Sequence, residues 1–307
     1  MQRNGFALSL PAAFVLIVGF SLSAMATWLV SNRHWQHARE HFVEAATSRY
    51  LALRHDLDSL IAACSLLTSP PSRPLSNRLK TLQAAWPAVS TLEWMVPDPP
   101  ADNPPAFRIA DASPASYRVR LETADFSRTP GISAMLAEAW TGRMPRVTAV
   151  TQLNSSEPDY RGEVRILVPA FRVTDSAGES SWPAGLYAVS LDLQRWLTNQ
   201  MHRFTHDPLR IELYDLAWHT SEPVVAAGQA DLSGTDGEAQ QWLYTNVLTL
   251  PGREWLMRIR PTSGFVAESQ SRLPLILFLS GTLITVLIAL LISPASAYTE
   301  TGNHALH

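Results

Sequence analysis

Between Arg3 and Arg33 the chain carries no charged side chain and most positions are apolar. A bilayer-spanning helix needs about 20 such residues in succession, so the pattern predicts a transmembrane helix over residues 6–30. Neither glycine nor proline occurs from position 20 to 69, which lets the same helix continue past the apolar stretch as a stalk over residues 31–69. In this second part Phe42, Ala46, Tyr50, Leu53, Leu57, Leu60, Cys64 and Leu67 recur at spacings of three and four, one apolar face of a helix. At 1.5 Å per residue the stalk would reach roughly 50 Å. Ser23-Ala24-Met25-Ala26 also fits the cleavage site of a signal peptide, yet Trp28, Leu29 and Val30 carry the apolar run beyond it. A second uncharged apolar run predicts a transmembrane helix over residues 273–293, followed by a short tail, 294–307, expected in the cytoplasm with no output domain. Two spans would put both ends on one side of the inner membrane and the intervening residues outside it.

The region between the runs alternates short strand and helix patterns. Pro70, Pro71 and Pro74 break the stalk, and Leu79, Leu82 and Trp86 form the apolar face of a short helix. Strands are predicted at 89–96, 117–123, 146–153 and 163–173, with a proline-rich loop at 97–105 and a helix from Thr129-Pro130 to Gly142. A polar loop at 175–181 reads as a boundary. Beyond it come a strand at 186–191, a helix at 192–204, and strands at 209–216, 240–250 and 254–261. The last of these, Glu254-Trp255-Leu256-Met257-Arg258-Ile259-Arg260, alternates with period two, as a strand with one wet face does. Few helices with several strands give an α+β class.

Composition narrows the function. A net charge of −3 with scattered arginines excludes a nucleic-acid surface. The sequence lacks a nucleophile elbow, a phosphate-cradling glycine loop, a His-Glu-x-x-His and paired cysteines, so neither an enzyme nor a cofactor is expected. His34, His37 and His41, with Glu44 beyond, lie along one helical face; they read as an interfacial belt beside Trp28 and Trp35, with metal binding as the alternative. Cys64, the single cysteine, reads as a packing residue of the stalk, or else as a cross-link between two stalks.

Several segments, in order, resemble the CHASE domain, a sensory module outside the membrane in histidine kinases and cyclases. They are Leu92-Glu93-Trp94-Met95 after Pro87, Ala124-Asp125-Phe126-Ser127 leading into the helix ending at Gly142, Leu167-Val168-Pro169-Ala170-Phe171-Arg172, residues 185–197, and Trp255 with Ile259, Pro261 and Thr262. The resemblance implies two tandem PAS-like antiparallel sheet units on a stalk helix, a membrane-distal unit at 76–174 and a proximal unit at 175–265, with ligand in the distal one. It places Asp125 where cytokinin-binding members hold the ligand's ring nitrogens, with Trp94, Met95, Phe126, Leu167 and Phe171 as pocket wall. Leu167 stands where those members carry threonine, and the proline-rich 97–105 replaces a charged pattern, so the ligand is left open. The expectation is a membrane-anchored sensory protein that binds a small molecule and signals through its spans to a separate cytoplasmic partner. A homodimer through the stalk is possible. The rival is an envelope assembly protein that binds another protein through the same sheets.

Overall fold

The computed structural model describes residues 10–98, 106–115, 130–150, 162–172, 182–204, 208–217, 222–228, 241–269 and 272–303. They fall into two compact units, one within Met1–Phe42 and Val266–His307, the other within Val43–Phe265.

A single helix, α1, runs from Leu10 to Ser65, and from position 20 onward no glycine or proline interrupts it, as expected, although it ends four residues before 69. Its apolar beginning and the helix α6 (Leu273–Asn303) are the two elements long and apolar enough to cross a membrane. Large apolar side chains face outward on both, among them Phe14, Ile17, Leu22, Leu275, Ile276 and Leu283, a surface suited to lipid. The two meet through small residues: Gly19 abuts Thr285, and Gly281 abuts Ser23, contacts that leave no room for a side chain at either glycine. Thr27 and Thr285 return their hydroxyls to the carbonyls four residues back, at 2.8 Å each, so neither leaves a free hydroxyl in the apolar surface. Helix α6 continues to Asn303, where a non-helical tail was expected from 294.

In the second unit the described residues form two antiparallel sheets. Helix α2 (Leu75–Ala85) leads into β1 (Val89–Pro97) and β2 (Phe107–Ser113). Helix α3 (Pro130–Gly142), β3 (Arg146–Val147), β4 (Glu163–Ala170) and β5 (Gly185–Asp192) follow. Then come α4 (Leu193–His202), β6 (Leu209–Asp215), β7 (Val225–Ala227), β8 (Tyr244–Leu250), β9 (Arg253–Pro261) and α5 (Ser263–Ser269). The first sheet has the order β2-β1-β5-β4-β3 and the second β7-β6-β9-β8. This is the expected α+β architecture of a long helix, two antiparallel sheets and a closing apolar helix.

The order places β5 at the centre of the first sheet, although the sequence assigned residues 185–192 to the second unit. The polar loop at 175–181 is thus a connection within one sheet and not the division between the two. Gly and Ser content alone does not distinguish a connection within a sheet from a domain boundary. Two strands escaped the sequence reading. β2 follows directly on a proline-rich stretch and interrupts its apolar positions with Arg108 and Asp111, and β7 is three residues long. The strand expected at 146–153 pairs only over Arg146 and Val147 among the described residues. The strand expected at 117–123 lies outside them.

The sheets are assembled on the stalk part of α1. Tyr50, Leu53, Leu57, Leu60 and Cys64 are buried within the chain, the stripe that the spacing of three and four predicts. That face is therefore filled by the protein's own sheets and is not a seam for a second stalk. Tyr50 donates to the Val247 carbonyl of β8 at 3.0 Å, and Trp196 Nε1 of α4 donates to Asp56 at 2.7 Å. The Arg49 guanidinium lies 3.7 Å over the Phe204 ring. Helix α4 is itself fixed by Asp192, which ends β5 and accepts from the Arg195 amide at 2.8 Å as an N-cap.

Cys64 is fully buried, and burial pushes its thiol up to about 12. At pH 8 only about one thiol in ten thousand would then be ionised. We expect maleimide to label the folded full chain at least about a thousandfold more slowly than the urea-unfolded chain. Rapid labelling of the folded protein, or a disulfide-linked dimer after oxidation, would show the stripe to be open.

Candidate functional site

The central strands of the first sheet are buried on both faces, which is why β4 and β5 read as near-continuous apolar runs. The register assigns the faces. Thr91, Glu93 and Met95 of β1 pair with Ser190, Ala188 and Leu186 of β5. Arg165 and Leu167 of β4 pair with Ser190 and Ala188 from the other side. All eight residues lie on one face. Trp94, Tyr187 and Val168 lie on the opposite one.

The shared face is divided in its chemistry. One half is apolar: Met95, Leu167, Leu186 and Ala188 pack with Phe107 of β2 beneath Ile132, Leu136, Ala139 and Trp140 of α3. Trp140 meets Phe107 edge-on at 5.4 Å and stacks on Trp182 at 6.2 Å. The other half is polar and equally dry. Glu93 is 0% exposed and lies 3.5 Å from an equally buried Arg165 guanidinium nitrogen. Both carboxylate oxygens of Glu93, and the hydroxyls of Thr91 and Ser190 beside it, are buried without a hydrogen-bond partner. Ser90 lies with its hydroxyl 3.3 Å from Glu163, whose carboxylate adds to the cluster.

Two irregularities bracket this segment of β1. The register against β5 shifts between Val89 and Thr91, and the register against β2 shifts between Trp94 and Met95. Bulges re-aim side chains and concentrate beside functional sites. Leaving a buried acceptor unmatched costs about 1–3 kcal/mol, and more when it is charged. Native structures tolerate few such groups, and each needs a physical reason. Several of them cluster here on one strand face, next to the packed apolar core under α3, which makes this face the candidate site.

The residues predicted for the site are only partly brought together. Met95 and Leu167 share the apolar half of the face. Trp94 points the other way, where its ring lies 4.8 Å from that of Tyr187. Tyr187 in turn donates to the Ser69 carbonyl at 2.8 Å at the end of the stalk, and burial, opposed by Arg78, pushes its phenol up to about 12. Phe171 is half-buried and its amide donates to the Thr68 carbonyl at 2.7 Å. Trp94 and Phe171 thus hold the sheet to the chain beneath it and do not belong to the apolar core under α3. Asp125 and Phe126 lie outside the described residues. Glu93 and Arg165 were overlooked, although each is a charged residue inside an otherwise apolar strand, Leu92-Glu93-Trp94-Met95 and Val164-Arg165-Ile166-Leu167. That interruption is the signal that finds them.

Among the described residues no three His, Cys, Asp or Glu side chains form a metal-holding group. His37 of the stalk pairs instead with Glu40 at 3.4 Å, both exposed.

No family model and no curated protein sequence matches the chain. Solved structures to which it is similar include an extracellular ligand binding receptor from Desulfohalobium retbaense, 15% identical with a TM-score of 0.39, covering 74% of this chain and 39% of that one. Another is the ligand binding domain of the Pseudomonas aeruginosa amino acid chemoreceptor PctC in complex with GABA, 12% identical with a TM-score of 0.42, covering 72% and 98%. A third is the periplasmic sensory domain of the Campylobacter jejuni chemoreceptor Tlp1, 10% identical with a TM-score of 0.36, covering 76% and 95%. The chain spans well under half of the first of these. All three likenesses are too distant to place it in a family, and the CHASE resemblance rests on the residues quoted for it alone.

Burial raises the Glu93 carboxyl above its ordinary value of 4.5, Glu163 adds to the rise, and Arg165 and the neighbouring Thr91 hydroxyl oppose it. Between 4.5 and that raised value the folded chain holds a proton that the unfolded chain has lost, so stability falls as pH rises through this window. We expect Glu93→Gln to remove that fall, seen as a thermal midpoint that loses less than the wild type between pH 4.5 and pH 8. Identical pH profiles for the two proteins would show that Glu93 titrates normally.

Proposed function

We propose that this chain is a membrane-anchored sensory protein whose first sheet binds a small molecule outside the inner membrane. The observation that carries the reading is the set of dry, unmatched acceptors around Glu93 beside the packed apolar core under α3. The carboxylate asks for a donor, and a ligand with a protonated amine and a short apolar body would satisfy both halves of the face. Asp125, which the CHASE resemblance puts in the pocket, is the second acidic residue proposed to contact it. Binding replaces missing hydrogen bonds and involves no bond-breaking chemistry, so the reading is of a receptor and not an enzyme.

The path from site to stalk is short in this reading. Ser190 and Ala188 of β5 face the ligand, while Tyr187 on the same strand holds Ser69. Asp192, at its end, caps the helix whose Trp196 holds Asp56. A shift of β5 by a fraction of an ångström is thereby passed to α1, which continues without a break to Leu10. Two arrangements of this element, with ligand favouring one, would carry the signal to a separate cytoplasmic partner.

The test is thermal unfolding of the full chain in detergent against a panel of amino acids, biogenic amines and polyamines, with acetate and succinate as amine-free controls. A ligand at a hundred times its Kd stabilises by about 2.7 kcal/mol, a rise of a few degrees for a domain of this size. The expected result is a rise with at least one amine that is lost in Glu93→Gln and weakened in Asp125→Ala. A response confined to the amine-free compounds, one retained by Glu93→Gln, or none at all would sink the reading. Co-purification of a stoichiometric envelope protein without any such response would favour the assembly-factor rival.

A further inference from the structure

The second sheet carries an unbalanced group of arginines that the sensory reading does not use. β9 alternates, burying Trp255, Met257, Ile259 and Pro261, which leaves Leu256, Arg258 and Arg260 on the other face. In register with β6, Arg210 stands opposite Arg260 and Glu212 opposite Arg258. Tyr214 lies two residues further along the same face, and Thr245 of β8 stands beside Arg258.

The described strands place two carboxylates on this face: Glu254 is exposed at the far end of β9, four residues from Arg258, and the oxygens of Glu212 are taken. Arg210 Nε donates to one at 2.8 Å and the Tyr214 hydroxyl to the other at 3.0 Å. Burial by itself would raise the Glu212 carboxyl; the hydrogen bonds from Arg210 and Tyr214 and the charges of Arg210 and Arg260 outweigh it and hold the group below its ordinary value. Glu212 is therefore a carboxylate already matched by Arg210. Arg258 lies 4.6 Å over the Tyr214 ring, and Arg260 Nε is buried without an acceptor. Among the described residues no ion pair joins either guanidinium to a carboxylate. The face thus keeps two positive charges at positions i and i+2 of one strand, and Arg210 directly across from Arg260 adds like-charge repulsion.

We propose that Arg258 and Arg260, with the Tyr214 hydroxyl and Thr245 beside them, form a binding site for a phosphate-type dianion. Two forked guanidiniums match phosphate oxygens in geometry, and a phosphate carries a charge of about −1.5 to −2 at pH 7, which offsets the surplus. Strand positions two apart present their side chains in parallel on one face, so the forks are set by the sheet before the anion arrives. The anion relieves the repulsion between Arg210 and Arg260 and supplies the acceptor that Arg260 Nε lacks.

The experiment is calorimetric titration of the full chain in detergent at about 20 mM ionic strength, where surface electrostatics are least screened. The probes are inorganic phosphate, sodium chloride of matched ionic strength, and vesicles of phosphatidylcholine with or without phosphatidylglycerol. Phosphate is expected to bind where chloride does not, with affinity about tenfold weaker or worse in Arg258→Gln and in Arg260→Gln. Arg54→Gln, which removes an exposed stalk arginine, and Glu93→Gln are expected to bind as the wild type does, which separates this site from the one on the first sheet. Binding to phosphatidylglycerol vesicles alone, lost in Arg260→Gln, would assign the anion to a lipid headgroup. No binding to either source, or binding that both arginine variants retain while circular dichroism shows them folded, overturns the proposal.

Discussion

Burial of one stripe of helix α1 is the constraint on which the two sheets depend, because their described elements are tied to a common support. Leu53, Leu57, Leu60 and Cys64 are all but fully removed from water along about three turns. Each buried leucine is worth roughly 1.5–3 kcal/mol, a sizeable share of the 5–15 kcal/mol by which a domain is stable. Polar contacts then fix where along the stripe each sheet sits. Tyr50 selects β8 of the second sheet through the Val247 carbonyl, Asp56 selects α4 through Trp196, and the Ser69 carbonyl selects β5 through Tyr187. The apolar stripe supplies the energy and these hydrogen bonds supply the register.

Such a support explains how the first sheet can tolerate two register shifts along β1, one that skips Ser90 of β1 against β5 and one that skips Ala110 of β2 against β1. β5 is held on both sides by ladders of six and eight paired positions, and β1 occupies the place between β5 and the edge strand β2. The strain of displaced side chains thus falls on a strand whose neighbours are fixed. Gly185, where β5 begins, shows how close the packing is: a Cβ there would lie 2.5 Å from the Met95 carbonyl oxygen and 2.6 Å from the Trp94 ring. That glycine lets β5 approach β1 at the point where Met95 turns toward the apolar core under α3 and Trp94 away from it.

The sequence made the helices and the regular strands legible because their periods are simple. The stalk stripe needed only spacings of three and four, and β9 only alternation; the stripe holds from Phe42 to Cys64 and fails at Leu67, which is half-buried past the end of the helix at Ser65, and β9 alternates as expected. Connectivity between strands was not legible, since nothing local in residues 185–192 tells whether that run pairs with β1 and β4 or with β6. Long-range pairing is decided by which buried faces fit, and a strand buried on both faces has no wet side to betray its orientation. The site suffered from the opposite difficulty. Apolar residues such as Trp94 were natural pocket candidates, yet a face flip of one residue separates Trp94 from Met95, and only register reveals it. Glu93 and Arg165 were legible in principle, as charges set inside apolar runs.

A second buried ion pair in the same chain shows why Glu93 and Arg165 are not simply a structural brace. Asp215 and Arg253, in the second sheet, are as deeply buried, but their geometry is complete: Arg253 Nε donates to Oδ2 at 2.8 Å, and the Ala217 amide donates to Oδ1 at 3.1 Å. Both oxygens are engaged, which is the condition under which a buried pair repays the loss of hydration. Glu93 has the same neighbour type only at 3.5 Å, no hydrogen bond of good geometry to either oxygen, and a carboxyl pushed up by burial despite Arg165 and the Thr91 hydroxyl beside it. The fold is therefore able to build a matched carboxylate–guanidinium pair and does so where two strands must be locked together. On the first sheet the carboxylate lies buried beside the packed apolar core without such geometry, so the cost of burying it is not repaid among the described residues.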